Sequence, residues 1–384
     1  MKKDNFLDLD FTDHLTGPGI KRRDFLKTLG GGIFILMTIA EDTLLAQRRP
    51  LPTDFNAFLR IGEDGRVACF TGKIEMGQGV ITSLAQMLAD ELDVALESVD
   101  MVMGDTDLCP WDMGTFGSMS TRFFGPPLRA AGAEGRQVLL ELAAERLNLP
   151  VDRLATENGV VYSMADREKK VTYAQLTKGK KIARHASGEV PIKKPEQFKI
   201  MNRPVLHRDA REKVTGRAKY AGDIQLPGML YARILRPPSH DSKRISVDLS
   251  EAKKMEGVQV VEDGDLVAVL HRYPDMAEKA LNSIKAEYDT PESELNEKTI
   301  FDHLLKVAPE GEVVDEKGDL NKGRKEAATI IENTYLDGYK AHAPIEPHTA
   351  VVHVEGNKAT VWPSSQTPFG AKDEVAEVVG IPAE

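Results

Sequence analysis

The chain has 384 residues, of which 41% are hydrophobic, 6% aromatic and 29% charged, and its formal net charge is −10. That balance suits a globular protein of two or three domains and excludes collagen-like repeats, wholesale disorder and a multi-span membrane protein. The acidic excess, with no basic stripe, argues against nucleic acid as a partner, and two cysteines, Cys69 and Cys109, are too few for a cysteine-built zinc or iron–sulfur framework.

At the N-terminus, Lys21-Arg22-Arg23-Asp24-Phe25-Leu26-Lys27 precedes an apolar stretch running from Leu29 to Ala40. A basic run joined to a short apolar core is the pattern of an export leader. Paired arginines followed by Phe-Leu-Lys resemble the twin-arginine signal, which carries folded cargo. About a dozen apolar residues are too few to span a roughly 30 Å hydrocarbon core. Residues 1–46 are therefore expected to form a twin-arginine signal, with Leu44-Leu45-Ala46 at its end. A buried N-terminal helix is the alternative, disfavoured by Gly30-Gly31-Gly32. The expected location is the periplasm and the expected partner is the twin-arginine export machinery. Export in the folded state suits a protein loaded with its cofactor beforehand, which favours an oxidoreductase.

Beyond this segment, two apolar runs at 58–61 and 67–70 flank Gly62-Glu63-Asp64-Gly65 and predict a hairpin. Ile81, Leu84, Leu88 and Leu92 recur at helical spacing, so residues 80–93 are expected to be an amphipathic helix. A strand is expected at 99–103 and a Gly/Ser/Thr loop over 112–125. A second helix is expected from Pro126 to Leu147. Residues 164–204, rich in lysine and proline, read as a connecting segment with a solvated charge run. Strands are expected at 228–235, 258–261 and 265–270, and a helix over 274–288, giving an α+β unit near 205–290. An acidic, lysine-bearing stretch follows to about 325. A hairpin at 349–354 and 359–362 and a helix over 369–379 complete the order.

Two glycine loops could carry chemistry. Met76-Gly77-Gln78-Gly79-Val80 lies between a strand and a helix start, where glycines admit an anion to unpaired backbone N–H groups. Taken alone, the motif is more simply a plain tight turn. Gly114-Thr115-Phe116-Gly117-Ser118-Met119-Ser120-Thr121 places hydroxyls on a glycine-rich backbone, suited either to phosphate oxygens or to capping the next helix. Gln366 stands between a strand end and a helix start. His342, Glu346 and His348 have neither helical nor zinc-ribbon spacing and are not read as metal ligands. No Gly-x-Ser-x-Gly elbow or P-loop supports a hydrolase or kinase.

Taken in order, these motifs resemble the molybdopterin-binding large subunit of the xanthine dehydrogenase and aldehyde oxidase family, in its exported branch of isoquinoline 1-oxidoreductase beta subunits. The resemblance covers residues 56–384. Met76-Gly77-Gln78-Gly79-Val80 matches the pterin loop. Gly104-Asp105-Thr106, residues 115–120 and Gly125 match the hydroxyl-rich cofactor segment. Residues 213–224, beginning Lys213-Val214-Thr215-Gly216, look like the opening of the family's hammerhead domain. Ser364-Ser365-Gln366-Thr367 matches the segment whose glutamine approaches the molybdenum oxo group.

The resemblance implies an α+β fold: a molybdenum-cofactor-binding domain of the aldehyde oxidase type plus an α/β hammerhead. The expected divisions are 1–46 signal, 47–163 molybdopterin-binding segment, 164–204 connection, 205–290 hammerhead and 291–384 the start of a second molybdopterin-binding segment. It further implies molybdenum held by the dithiolene of a pterin, in the cytosine dinucleotide form, with no protein metal ligand. Met76, Gly77, Gln78, Gly79, Val80, Thr115, Ser118, Met119, Ser120 and Gln366 would contact the cofactor. The implied reaction hydroxylates an aldehyde or N-heterocycle, a small-molecule substrate, with oxygen from water. Electrons would leave to an iron–sulfur small subunit.

The family's general base is a glutamate expected beyond Glu384, in a chain about twice this length, so neither Glu75 nor Glu346 is assigned that role. A truncated enzyme, a split-gene half needing a separate C-terminal chain and an exported solute-binding protein are the readings left open.

Overall fold

The structure, a computed structural model, describes residues 30–38, 55–292, 295–311, 313 and 315–383. It divides into two compact units, Met1–Ile224 together with Glu346–Glu384, and Gln225–Ile345. The second begins about twenty residues later than the expected boundary at 205 and extends well past 290.

The first unit is built on a five-stranded sheet. Its elements in chain order are β1 (Gly32–Met37), β2 (Ala57–Ile61), β3 (Val67–Thr71), helix α1 (Val80–Leu92), β4 (Val99–Met103) and helix α2 (Gly125–Leu147). There follow β5 (Leu154–Glu157), β6 (Val160–Ser163), β7 (Lys170–Thr172), the one-turn helix α3 (Tyr173–Thr177) and β8 (Lys181–His185). The strand order is β4-β3-β2-β1-β8. β1, β2 and β3 pair antiparallel, while β3–β4 and β1–β8 are parallel. β5, β6 and β7 form a separate antiparallel sheet.

Alternation along the strands divides the core in two. Ile33, Ile35, Met37, Leu59, Ile61, Val67 and Cys69 join Leu84, Leu88 and Leu92 of α1 and Leu128 and Leu139 of α2 on one face. Phe34, Leu36, Phe58, Ala68 and Phe70 meet Phe55, Cys109 and Phe369 on the other. Phe58 and Phe70 stack with centroids 4.5 Å apart. α1 and α2 approach closely at Gly132, where a Cβ would stand 2.8 Å from the Cβ of Glu91.

Two expectations are corrected here. Residues 32–37, expected in the apolar core of a leader, form a wholly buried strand in the sheet interior rather than a helix or a free segment. Their side chains are apolar on both faces, as an interior strand covered on both sides requires. The rest of the expected signal, residues 1–29 and 39–46, lies outside the described residues. Residues 164–204, expected to be a connection, supply β7, α3 and β8 and then a strap across the C-terminal end of α1. Asp90 accepts there from the backbone N–H groups of Lys199, Ile200 and Met201, and Lys193 pairs with Asp93 at 2.5 Å. Its lysines are therefore not all solvated.

The second unit contains β9 (Tyr231–Ile234), β10 (Lys243–Asp248), β11 (Gln259–Asp263), β12 (Leu266–His271), helix α4 (Pro274–Ser283) and β13 (Lys285–Asp289). The sheets are β11-β12-β9 and β10-β13. α4 buries Ala277 and Ala280, the latter against Val269 of β12. The expected helix over 274–288 thus ends early. Ala286 and Tyr288 alternate with exposed Lys285, Glu287 and Asp289, a two-residue period that β13 uses against β10. Short helices Ile300–Val307 and Leu320–Glu326 follow.

Back in the first unit, the hairpin β14 (Ala350–Glu355) and β15 (Lys358–Pro363) leads through residues 364–367 into α5 (Pro368–Val379). α5 ends at Gly380, which adopts φ 73°. No described helix is long and apolar enough to cross a membrane.

Candidate functional site

Three loops of the first unit meet beyond the ends of β3, β4 and β15. Gly72 and Lys73 leave β3, and the Lys73 ammonium is buried. It donates to Asp112 Oδ1 at 2.9 Å and to the Gly114 carbonyl at 2.7 Å. The same carboxylate oxygen accepts from Gly114 N–H at 2.8 Å. One ion pair therefore ties the exit of β3 to the start of the hydroxyl-bearing loop. Thr115 extends the join in both directions. Its Oγ1 accepts from Ile74 N–H at 2.9 Å, and its own N–H donates to the Gln366 carbonyl at 2.8 Å. Gly114 must lack a side chain, because a Cβ there would lie 2.9 Å from Gln366 O and 2.7 Å from Thr367 Cγ2.

The expected pterin loop, 76–80, is shaped by its own neighbour. Glu75 Oε1 accepts from Gly77 N–H at 2.7 Å and Gly79 N–H at 2.9 Å, while Oε2 accepts from Ile81 N–H at 2.9 Å. Gln78 is bonded within the loop, its Oε1 accepting from Met76 N–H at 2.5 Å and its amide nitrogen donating to the Ile74 carbonyl at 3.1 Å. Gly79 forms the left-handed N-cap of α1 at φ 79° and is pressed by His207, whose Cε1 would lie 2.6 Å from a Cβ. The 207–208 segment holds α1 as well, with Arg208 N–H donating to Thr82 Oγ1 at 3.0 Å. Val80 is buried beneath the loop, while Met76 is 50% exposed. Gly77 faces open space at φ 97°.

In the second loop Ser118 is exposed with φ 58°, and Met119 and Ser120 are half-buried at the start of the π turn Ser120–Phe124 that leads into α2. Gln366 is exposed. The structure therefore joins Thr115 to Gln366 directly and to the 76–80 loop through Ile74. Met76, Gly77 and Gln78 stand on that loop's exposed side, with Ser118 exposed on its own loop. Met119 and Ser120 sit lower, at its base, and Gly79 and Val80 act through packing.

Lys73, Asp112 and His207 escaped sequence reasoning. A lysine after a strand and an aspartate in a loop are ordinary surface residues until the fold buries them together. Both thiols lie in the core. Burial pushes Cys69 and Cys109 well above the usual thiol range, so neither is poised as a thiolate ligand. Among the described residues, no cluster of three His, Cys, Asp or Glu could hold a metal ion.

The arrangement offers the exposed Gln366 side chain, the hydroxyls of Ser118 and Ser120 and the open flank of Gly77. It fits a polar organic cofactor.

Comparison with known proteins agrees. A molybdopterin cofactor-binding domain model matches residues 20–220 and a second such model matches residues 305–384. A nicotinate dehydrogenase subunit of Pseudomonas putida is 30% identical over 371 residues, covering 93% of this chain and 31% of that protein. The beta subunit of isoquinoline 1-oxidoreductase of Brevundimonas diminuta is 27% identical over 386 residues, covering 85% of this chain and 48% of the relative. A membrane-bound aldehyde dehydrogenase of Gluconacetobacter polyoxogenes, whose name specifies pyrroloquinoline-quinone, is 27% identical over 361 residues, 86% of this chain and 46% of its own. The chain spans less than half the length of each of these three. With one family model laid across more than half of the chain and over both glycine loops, the chain belongs to the molybdopterin cofactor-binding domain family of xanthine dehydrogenase-type subunits.

Proposed function

We propose that this chain is part of a molybdenum hydroxylase, an oxidoreductase subunit that hydroxylates an electron-poor carbon of an N-heterocycle or aldehyde with oxygen from water. The observation that carries this reading is the join of Ile74, Thr115 and Gln366, which brings the pterin loop, the hydroxyl loop and the Gln366 loop into one site. The names of the relatives, nicotinate and isoquinoline enzymes among them, support the substrate class. The bound cofactor would supply the two-electron redox chemistry. The chain's residues would bind and orient. The exposed Gln366 amide would donate a hydrogen bond toward the metal's oxygen ligand, the open flank of Gly77 would admit the pterin edge, and Ser118 and Ser120 would receive phosphate oxygens.

The cytosine dinucleotide form of the cofactor, an iron–sulfur small subunit as electron acceptor and a hammerhead role for the second unit belong to the same reading. So does twin-arginine export to the periplasm, read from Lys21–Lys27, with β1 kept in the folded cargo. The general base is not assigned to a residue of this chain.

Metal and cofactor analysis of the protein purified with its partner tests the proposal. Stoichiometric molybdenum with a pterin nucleotide is expected. A metal-free protein holding a small ligand, or one holding a quinone in place of the pterin, overturns it.

A further inference from the structure

The N-terminus of α1 is a place where a cofactor phosphate would ordinarily be sought, since its first N–H groups lack helical partners. In this chain the donors of Gly79, Ile81 and Thr82 are already taken, the last by the Gly79 carbonyl. Glu75 receives the N–H groups of Gly77, Gly79 and Ile81, two on one carboxylate oxygen and one on the other. The loop is closed from the far side by His207 against Gly79 and by Arg208 on Thr82. Charge-assisted bonds from backbone amides to a carboxylate are among the stronger hydrogen bonds a loop can make. The nearby Lys213 ammonium is held up chiefly by its hydrogen bond to Asp209, with Glu75 adding to the negative field.

We propose that Glu75 is a positioning residue: it serves as the internal anion of the Met-Gly-Gln-Gly loop, setting its shape before any ligand arrives and closing the N-terminus of α1 to phosphate. The loop would then meet its cofactor through what Glu75 leaves outward, the flank of Gly77 and the exposed Met76 and Gln78. The anionic part of the cofactor would be held elsewhere. The cofactor part of this proposal rests on the pterin reading above; the part concerning loop shape does not. It also gives both carboxylate oxygens of Glu75 a use within the loop.

Hydrogen–deuterium exchange of the full chain without cofactor, with inorganic phosphate as the probe, tests it. In wild-type protein the peptide spanning residues 76–82 is expected to exchange identically with and without phosphate. In Glu75→Ala the same peptide is expected to exchange about ten-fold faster, while peptides from β2 and β3 stay unchanged and added phosphate restores part of the protection. Glu75→Gln, which keeps the shape and loses the charge, is expected to fall between, and it decides the matter if the alanine variant does not fold. Unchanged exchange in Glu75→Gln and Glu75→Ala, or slowing of the wild-type peptide by phosphate, overturns the proposal.

In complexes purified with the partner, a several-fold loss of pterin and molybdenum in Glu75→Ala is expected. Full cofactor content in that variant overturns the link from loop shape to cofactor binding. Absence of pterin from the wild type instead overturns the functional reading and leaves the exchange result standing.

Discussion

Lys73 Nζ lies 2.9 Å from Asp112 Oδ1, with both side chains only 3% exposed, and together the two residues hold the carbonyl and N–H of Gly114. An ion pair withdrawn this far from water loses most of its Coulombic gain to desolvation, so its value lies in the geometry it imposes. Here it fixes where the hydroxyl-bearing loop starts.

Removing one partner takes away the charge that faces the other in the interior. Lys73→Met or Asp112→Ala alone is expected to cost about 3–5 kcal/mol, while the double variant Lys73→Met/Asp112→Leu is expected to be far closer to wild type. Urea denaturation of the three proteins checks this. A double variant as unstable as the singles would show that the pair contributes stability and not only position.

Phe34 and Ile35 are fully buried on opposite faces of the sheet, so β1 contributes to both core clusters. Phe34→Ala is expected to cost about 3–5 kcal/mol, in the range of large core truncations. A chain starting at residue 47 is expected to be less stable still, because β2 and β8 lose the strand between them. Thermal denaturation of both, with the N-terminal residue of the purified protein identified by mass spectrometry, checks whether β1 stays with the fold. A chain starting at residue 47 as stable as the full chain would remove β1 from the structural core.

Asp90, 1% exposed, accepts from three successive backbone N–H groups of the strap at 199–201. Asp90→Ala would leave them without that acceptor, at a cost of about 1–3 kcal/mol. The expected signature is local: proteolytic cleavage between residues 193 and 203 well before the sheet unfolds. Cleavage rates by mass spectrometry measure it.

The hydrogen bond from Arg184 on β8 holds the Glu141 carboxyl on α2 below the usual glutamate range. A carboxylate depressed by folding stabilises above its unfolded pKa and loses that contribution as pH falls through the folded value. Both side chains are more than a third exposed, so screening limits the effect to below about 1 kcal/mol. Glu141→Gln is expected to be slightly less stable than wild type at pH 7 and to converge with it toward pH 3. Parallel stability curves at the two pH values would remove this bond from the acid response.

Much of the first unit is written in periodicity. Ile81, Leu84, Leu88 and Leu92 are spaced as α1 requires, and the hairpin around Gly62 and Gly65 needs only alternation and turn residues. The two glycine loops were legible for the same local reason. β1 was not, because an apolar run is compatible with a leader core, a helix or an interior strand, and its role depends on β2 and β8 standing on either side. Ala280, Ile284 and Tyr288 satisfy a helical spacing that predicts a longer α4, and pairing with the β10 edge overrides it after Ser283.

Local chemistry along the chain thus carried the motifs, the helix starts and the family. Which groups face one another is a matter of long-range approach. Lys73 meets Asp112 across a separation of 39 residues, and Thr115 meets Gln366 across some 250. Glu75 is the instructive case between the two. Its sequence neighbours placed it beside a possible anion-binding loop and gave it no role of its own. Folding turned the carboxylate inward onto three amides, because unpaired donors at a helix start draw in an anion, and a side chain of the same loop is already in place to supply it.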